Sequence, residues 1–154
     1  MDATATTPTL ARSALAGAAA ATVWSLQEPL DRRIFRSDHS DVALLGKLVT
    51  RRRAWPVVGL AIHAANGAAF GVALAAGSRA LRIPARRLAV PAALVEHAVL
   101  YPVSFLTDRY HPAQGEPGVV PIARSPRAFA QETWRHLLFG WILARLLPRE
   151  LSRG

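Results

Sequence analysis

The chain has no cysteine and almost no lysine, and this composition limits the kinds of binding and catalytic site that it can form. Without cysteine, the 154 residues contain no disulfide, thiolate metal site or thiol nucleophile. The basic residues are 18 arginines and one lysine, Lys47, against ten acids, which gives a formal net charge of +9. Aromatic residues are also scarce, and the four tryptophans lie in or beside apolar segments. Nucleic-acid binding is therefore not expected, because it favours aromatic side chains interleaved with basic ones.

Long uncharged segments are the main feature that the sequence does have. The clearest one runs from Trp55 to Gly77 without a charged residue. A helix rises ~1.5 Å per residue, so this segment is long enough to cross a ~30 Å hydrocarbon core. Three other apolar segments have a similar length. We therefore predict an all-α protein, a four-helix transmembrane bundle that forms a single domain over residues 1–154, with spans at 8–28, 55–77, 88–107 and 126–147.

The first and fourth predicted spans each allow a second interpretation. Pro29 predicts that the first helix ends at Glu28, but the alanine-rich run after Arg12 also fits a cleaved signal peptide. Polar side chains interrupt the fourth segment, which would also suit a helix that starts in the membrane interface. In the third span, Pro102 predicts a kink, because proline cannot donate to the carbonyl of Ala98. The proline- and glycine-rich segment 108–125 is predicted to be a loop without regular structure.

The connector between the first two spans contains a short amphipathic pattern, DVALLGKLV. Its apolar side chains fall on one side of a helix that is too short to cross a membrane. We predict an interfacial helix at 41–50 that lies in the headgroup plane, with packing on the bundle as the alternative. Arginines flank the apolar segments, where they would meet anionic lipid headgroups. The predicted headgroup contacts are Arg51, Arg52, Arg53, Arg86 and Arg87.

Seven polar side chains lie within the apolar segments and are predicted to form a polar interior. An ionisable group in hydrocarbon costs at least ~2.5 kcal/mol, so such groups pair across helices or serve a function. The seven are His63, Asn66, Glu96, His97, Tyr101, Glu132 and His136. His63 and Asn66 share a helix face with Gly67. Gly67 and Gly71 form a Gly-x-x-x-Gly pattern that predicts a close contact with another helix.

The polar interior leaves two classes of function open. Glu132 and His136 are four residues apart and would present two metal ligands on one helix face. Their spacing differs from the Glu-x-x-His of di-metal bundles, and no motif repeats, so neither a metal nor another cofactor is expected. The expected function is non-enzymatic, as a structural or accessory component or a small proton- or solute-linked transporter. The alternative is a membrane-embedded enzyme or a metal-binding protein that uses the His and Glu cluster.

Five short segments carry a resemblance over nearly the whole chain. They are EPLDRR at 28–33, HAANGAAFG at 63–71, EHAVLYP at 96–102, DRYHP at 108–112 and FAQETWRHLLFG at 129–140. With these segments the chain resembles small four-helix integral membrane proteins of high-GC bacteria, which implies a membrane fold and supplies no catalytic residues. The expected location is the bacterial inner membrane, as a multi-pass protein whose partner is the lipid bilayer; protein partners and a homo-oligomer stay open. A small excess of basic residues in the connectors opposite the termini favours termini outside.

Overall fold

The computed structural model describes residues 3–147, with side chains from Leu10 onward, and this part of the chain is helical without strands. The helices are α1 (Ala3–Phe35), α2 (Asp41–Val49), α3 (Trp55–Leu81), α4 (Ala85–Leu100), α5 (Ser104–Tyr110) and α6 (Pro126–Leu146). A 3₁₀ turn at Tyr101–Val103 joins α4 to α5. The all-α prediction is confirmed. Two stretches, α3 and the continuous one from Ala85 to Tyr110, are long and apolar enough to cross a membrane.

Helix α1 does not end at Glu28, as Pro29 predicted, but continues to Phe35. Pro29 lies on the exposed side of the helix, and its missing N–H removes only one backbone hydrogen bond. The additional turns carry Asp31, which is completely buried against α6. Tertiary contacts therefore maintain the helix past the proline. It ends at Arg36, which adopts a left-handed φ of 51°.

Helix α3 also passes its predicted end at Gly77 and continues to Leu81. Arg82 takes the left-handed cap position instead, with φ of 55°, and its N–H donates to the carbonyls of Ser78 and Arg79. In the next membrane-length stretch, Pro102 lies in the 3₁₀ turn that interrupts the helix between α4 and α5. The predicted kink therefore takes the form of a short change of helix type.

Small residues bring α1 and α3 together. A Cβ atom built on Gly67 would stand 2.5 Å from the carbonyl oxygen of Gly17 on α1. Gly71 packs just as closely against the carbonyl of Ser13. Both glycines of the predicted pattern thus lie where the two backbones touch, a contact that only a missing side chain allows.

Helix α2 packs on α3 through Gly46 and Gly59, and it is covered from the other side by the connector 111–125. Lys47 of α2 is buried and donates to the carbonyl of Pro117 at 2.8 Å, and it pairs with Glu116 at 3.2 Å. Helix α2 therefore packs on the bundle, which is the alternative interpretation of this segment. The ammonium group of Lys47 is bonded within the protein.

The connector 111–125 is ordered by hydrogen bonds, although its composition predicted a structureless loop. The carboxylate of Asp108 accepts from the N–H groups of Ile122 and Ala123 at 2.9 Å each. His111 donates from Nε2 to the carbonyl of Leu44 at 2.9 Å. These bonds fold the connector over the same end of the bundle as α2, and that end contains the site described next.

Candidate functional site

A cavity of about 360 Å³ lies inside the bundle, beneath α2 and the connector 111–125. Side chains of α1, α2, α3, α4, α5 and α6 form its walls. The seven residues predicted for the polar interior all line this one cavity: His63, Asn66, Glu96, His97, Tyr101, Glu132 and His136. Its volume falls in the range of small-molecule sites, roughly 300–1,000 Å³.

Arg135 on α6 is the centre of a charged network buried between α1, α2 and α6, and none of its surface is exposed. Its Nε and Nη2 donate to the two carboxylate oxygens of Asp31, at 2.7 and 2.8 Å. Nη1 donates to Asp41 at 2.7 Å and to Glu132 at 3.0 Å. Nη2 also reaches the carbonyl of His39 at 3.2 Å. Each nitrogen of the guanidinium therefore has an acceptor, which is the condition for burying it.

The carboxylate of Glu28 on α1 caps the N-terminus of α2. It accepts from the hydroxyl of Ser40 at 2.5 Å and from the N–H groups of Asp41 and Val42 at 2.9 and 3.3 Å. An acid in this position satisfies N–H groups that have no partner within the helix and interacts favourably with the helix dipole. Trp24 adds a hydrogen bond from its indole N–H to Asp41 at 2.9 Å. Two side chains of α1 thus fix the start of α2.

His39 lies in the connector between α1 and α2 and is 1% exposed. Its Nε2 is 3.2 Å from Oδ1 of Asp41 and 3.3 Å from Oε1 of Glu132. Burial alone would lower the pKa of His39, but these two carboxylates outweigh burial and raise it to about 10, so the imidazole is charged at neutral pH. Burial would raise the pKa of Asp41, but Arg135 and His39 hold it well below its usual value.

The same three side chains form a group with metal-ligand spacing. The ligand atoms of His39, Asp41 and Glu132 all lie within 4.8 Å of one another. Arg135 and the charged imidazole of His39, however, already supply positive charge to both carboxylates. A metal ion would have to displace the proton of His39 and lie beside the guanidinium of Arg135. We therefore propose no metal at this position.

Three histidines of the cavity are held by a hydrogen bond from one ring nitrogen. Nδ1 of His63 lies 2.8 Å from Oγ of Ser25, which is also within hydrogen-bond distance of the carbonyl of Ala21. Ser25 has a single proton, so it either donates to Ala21 and accepts from His63, or donates to Nδ1 of His63. The tautomer with the proton on Nδ1 makes both contacts of Ser25 hydrogen bonds at once, and it leaves a lone pair on Nε2.

His97 and His136 repeat this arrangement. Nε2 of His97 lies 3.1 Å from Oγ1 of Thr133, which donates its proton to the carbonyl of Phe129 at 2.8 Å. Nδ1 of His136 donates to the carbonyl of Glu132 at 2.8 Å. Nδ1 of His97 and Nε2 of His136 are therefore the nitrogens left with lone pairs. None of the three open nitrogens has a hydrogen-bond partner in residues 3–147.

Glu96 and Asn66 occupy the more open part of the cavity. Glu96 is partly buried, and its carboxylate has neither a hydrogen bond nor an ion pair with the described residues. Asn66 is exposed and lies at the mouth. Tyr101 donates its hydroxyl to the carbonyl of Ile122 at 3.0 Å and packs its ring on His97. The carboxylate of Glu96 is thus available to a ligand, whereas Tyr101 has a structural bond.

Aromatic rings form much of the remaining wall. The ring of Trp24 meets those of His63, His136 and Phe139 edge-on, at centroid distances of 4.9, 4.7 and 5.9 Å. Phe70 packs edge-on against Phe139 at 5.2 Å. The cavity therefore combines polar acceptors with aromatic surface.

The five arginines predicted to contact headgroups lie at the two ends of the bundle. Arg51 pairs with Glu116, while Arg52 and Arg53 are exposed. At the other end Arg87 is exposed, and Arg86 donates to the carbonyl of Leu147 at 3.2 Å. Arg51 and Arg86 thus have intramolecular partners.

Sequence reasoning missed the charged network as a site. His39, Asp31 and Asp41 lie in or next to a connector, where charged residues are ordinary and attract no attention. Arg135 was not paired with any of these three residues. The available signal was the Asp in EPLDRR, because an acid beside an apolar helix needs a cation, and Arg135 is the arginine in the middle of α6, between Arg127 in the first turn and Arg145 in the last.

Comparison with models of protein families, with curated proteins and with solved structures returned no match. The resemblance to small bacterial membrane proteins stays a prediction. The chemistry of the site therefore rests on the chain's own residues.

Proposed function

We propose that the protein is a four-helix integral membrane protein that binds a small solute in its cavity, as an accessory or solute-linked transport component and not as an enzyme. The observation that carries the proposal is the distribution of polarity. Charged and polar side chains are buried around the cavity, whereas large apolar side chains face outward. A water-soluble bundle has the opposite arrangement, because burial of apolar surface drives its folding.

The two most apolar stretches support this placement. In their most apolar windows only 28% of α3 and 22% of the stretch Ala85–Tyr110 are buried within the protein. Val57 and Val99, for example, are 73% and 67% exposed. The core helix of a soluble protein would instead be mostly buried. Lipid tails are the natural environment for such surfaces.

Helices α1 and α6 complete the proposed bundle, although they do not meet the same hydropathy test. Leu15, Leu26 and Leu30 of α1 point outward, as do Trp141 and Leu146 of α6. The residues of the buried network and the arginines towards the helix ends, such as Arg33 and Arg145, lower their average hydropathy. On this proposal both helices present apolar surface to lipid and charge to each other, as ionisable groups in membranes do.

Solute binding is supported by the unsatisfied acceptors of the cavity. His63, His97 and His136 each present an unpaired nitrogen, and Glu96 presents an unpaired carboxylate. These atoms line the open space of the cavity and have no partner among the described side chains, so a solute that donates hydrogen bonds would satisfy several of them at once.

The membrane placement is tested by alkaline carbonate extraction of cells that express the full chain. We expect the protein to stay in the membrane pellet, because α3 alone presents a membrane-length apolar surface. A peripheral protein held only by its arginines would be released by carbonate or by high salt. Release of most of the protein would contradict the proposal.

A further inference from the structure

We propose that the cavity takes an organic ammonium with an apolar body and that Glu96 is its counter-ion. The inference deepens the proposed function, because it names the chemistry of the solute. It rests on three features of the cavity: its lone-pair acceptors, its charge and its mouth.

The hydrogen bonds of the cavity select a ligand that donates. The open nitrogens of His63, His97 and His136 accept in the neutral imidazole, because the other nitrogen of each ring is committed as a donor. An anion or a carbonyl compound would find no donor on these rings. An ammonium group carries up to three N–H donors and meets this requirement.

The charge of the wall selects a cation. The lining contains the acids Asp41, Glu96 and Glu132, the charged imidazole of His39 and no lysine or arginine. Arg135, behind the wall, satisfies Asp41 and Glu132, and His39 contacts the same two carboxylates. Glu96 forms no ion pair with the described residues, and the imidazole of His136 is the basic group that acts on it electrostatically. Charge-assisted hydrogen bonds are the strong ones, so an ammonium beside Glu96 is the contact that the cavity lacks.

The mouth and the aromatic lining of the cavity favour a ligand that carries an apolar group. Exposed lining residues mark the mouth between α3 and α4: Asn66 on α3, Leu100 on α4 and Val103 on the 3₁₀ turn. In the proposed orientation this mouth faces lipid. Inside, Trp24, Phe70 and Phe139 supply aromatic surface, which favours both apolar groups and cations. A ligand that enters here has an ammonium head and a hydrophobic remainder.

The test uses the full-length protein in nanodiscs and equilibrium dialysis at pH 7, with protein-free nanodiscs to subtract partition into lipid. The probes are 1-naphthylmethylamine, its neutral isostere 1-naphthylmethanol, and methylamine. We expect saturable binding of the naphthyl amine, with the alcohol and methylamine at least about tenfold weaker, since one supplies no charge and the other no apolar contact.

Variants of Glu96 decide the role of the carboxylate. Glu96→Gln should weaken binding of the naphthyl amine about tenfold or more, while Glu96→Asp retains the charge and should retain most of the affinity. Asp38→Asn, at an exposed acid outside the cavity whose bond to the N–H of Gly118 the amide oxygen can keep, is the matched control and should bind like the wild type. A Gln variant with normal yield and unchanged amine affinity would overturn the assignment of Glu96.

The probes also separate the two proposals. Equal saturable binding of amine and alcohol would leave a solute-binding cavity but overturn its preference for an ammonium. Equal binding of methylamine and the naphthyl amine would overturn the apolar body. Saturable binding of none of the three would contradict the solute-binding function together with this inference.

Discussion

Arg135 connects three helices, α1, α2 and α6, through hydrogen bonds inside the bundle. Its guanidinium bonds to Asp31 on α1, Asp41 on α2 and Glu132 on its own helix. Removal of one partner from a buried ion pair typically costs about 3–5 kcal/mol, because a charge is left without compensation. The network therefore acts as a structural support for the wall of the cavity.

His39 gives this network a measurable dependence on pH. Its pKa is raised from 6.5 to about 10 by Asp41 and Glu132, so the folded state holds a proton that the unfolded state releases above about pH 6.5. The resulting stability is complete below pH 6.5 and is lost as the pH rises towards 10. We expect the thermal midpoint in detergent to fall between pH 7 and pH 10, and His39→Gln to reduce this fall.

A second histidine variant controls for general effects of alkali. His111→Gln removes an imidazole from the connector 111–125, at its bond to Leu44, and leaves the network intact. It should show the same alkaline fall in midpoint as the wild type. An unchanged pH profile in His39→Gln would mean that the proton of His39 does not stabilise the fold.

The polar lining could be predicted from the sequence because histidine and glutamate are conspicuous in apolar helices. Their spacing on α3, α4 and α6 places them on inward faces. The partners that set the histidine tautomers could not be predicted. Ser25 and Thr133 are ordinary helical hydroxyls, and their significance depends on which ring lies opposite, which is a property of helix packing.

Helix ends show how packing overrides local signals. Pro29 and Gly77 are both typical end markers, and both lie within helices here. Past Pro29, the ion pair of Asp31 with Arg135 stabilises the last turns of α1. Past Gly77, Ser78 is buried and bonds to the carbonyl of Ile83 at 2.6 Å. The existence of the helices followed from composition, but their ends depended on contacts between residues distant in sequence.

The crossing of α1 and α3 is the contact most sensitive to side-chain size. Gly67→Leu would place a branched side chain against the backbone of Gly17, so we expect it to destabilise the protein by about 1–3 kcal/mol through overpacking. The measurement is the thermal midpoint of detergent-purified protein. Gly77→Leu is the control on the same helix, because a Cβ at Gly77 meets no atom within 4 Å.

The two leucine variants should therefore differ in thermal stability. Gly77→Leu replaces a weak helix former with a strong one at an open position and should match or exceed the stability of the wild type. If Gly67→Leu is as stable as Gly77→Leu, the close approach of α1 and α3 is wrong, and the face of α3 that carries Gly67 would point to lipid.

In the described part of the chain a charged network is buried between helices while many large apolar side chains are exposed, and an average over each helix does not show this. Helices α1 and α6 each combine exposed leucine or tryptophan side chains with the charged network on the inner face. The network and the exposed arginines towards the helix ends together keep their mean hydropathy below that expected of a span. A helix with this mixed composition can be recognised as a span only when it is known which side chains face inward and which face outward.

The absence of cysteine makes the topology directly testable, since each single-cysteine variant has one reactive thiol. We expect Thr4→Cys and Arg87→Cys to react with a membrane-impermeant maleimide on one side of the membrane, and Ser37→Cys and Arg53→Cys on the other, because the proposed bundle has α1 and α3 both crossing. Sealed vesicles of known orientation give the side, and detergent-opened vesicles control for reactivity. If Thr4→Cys reacts on the same side as Ser37→Cys, α1 does not cross, and the proposed four-helix membrane bundle is wrong.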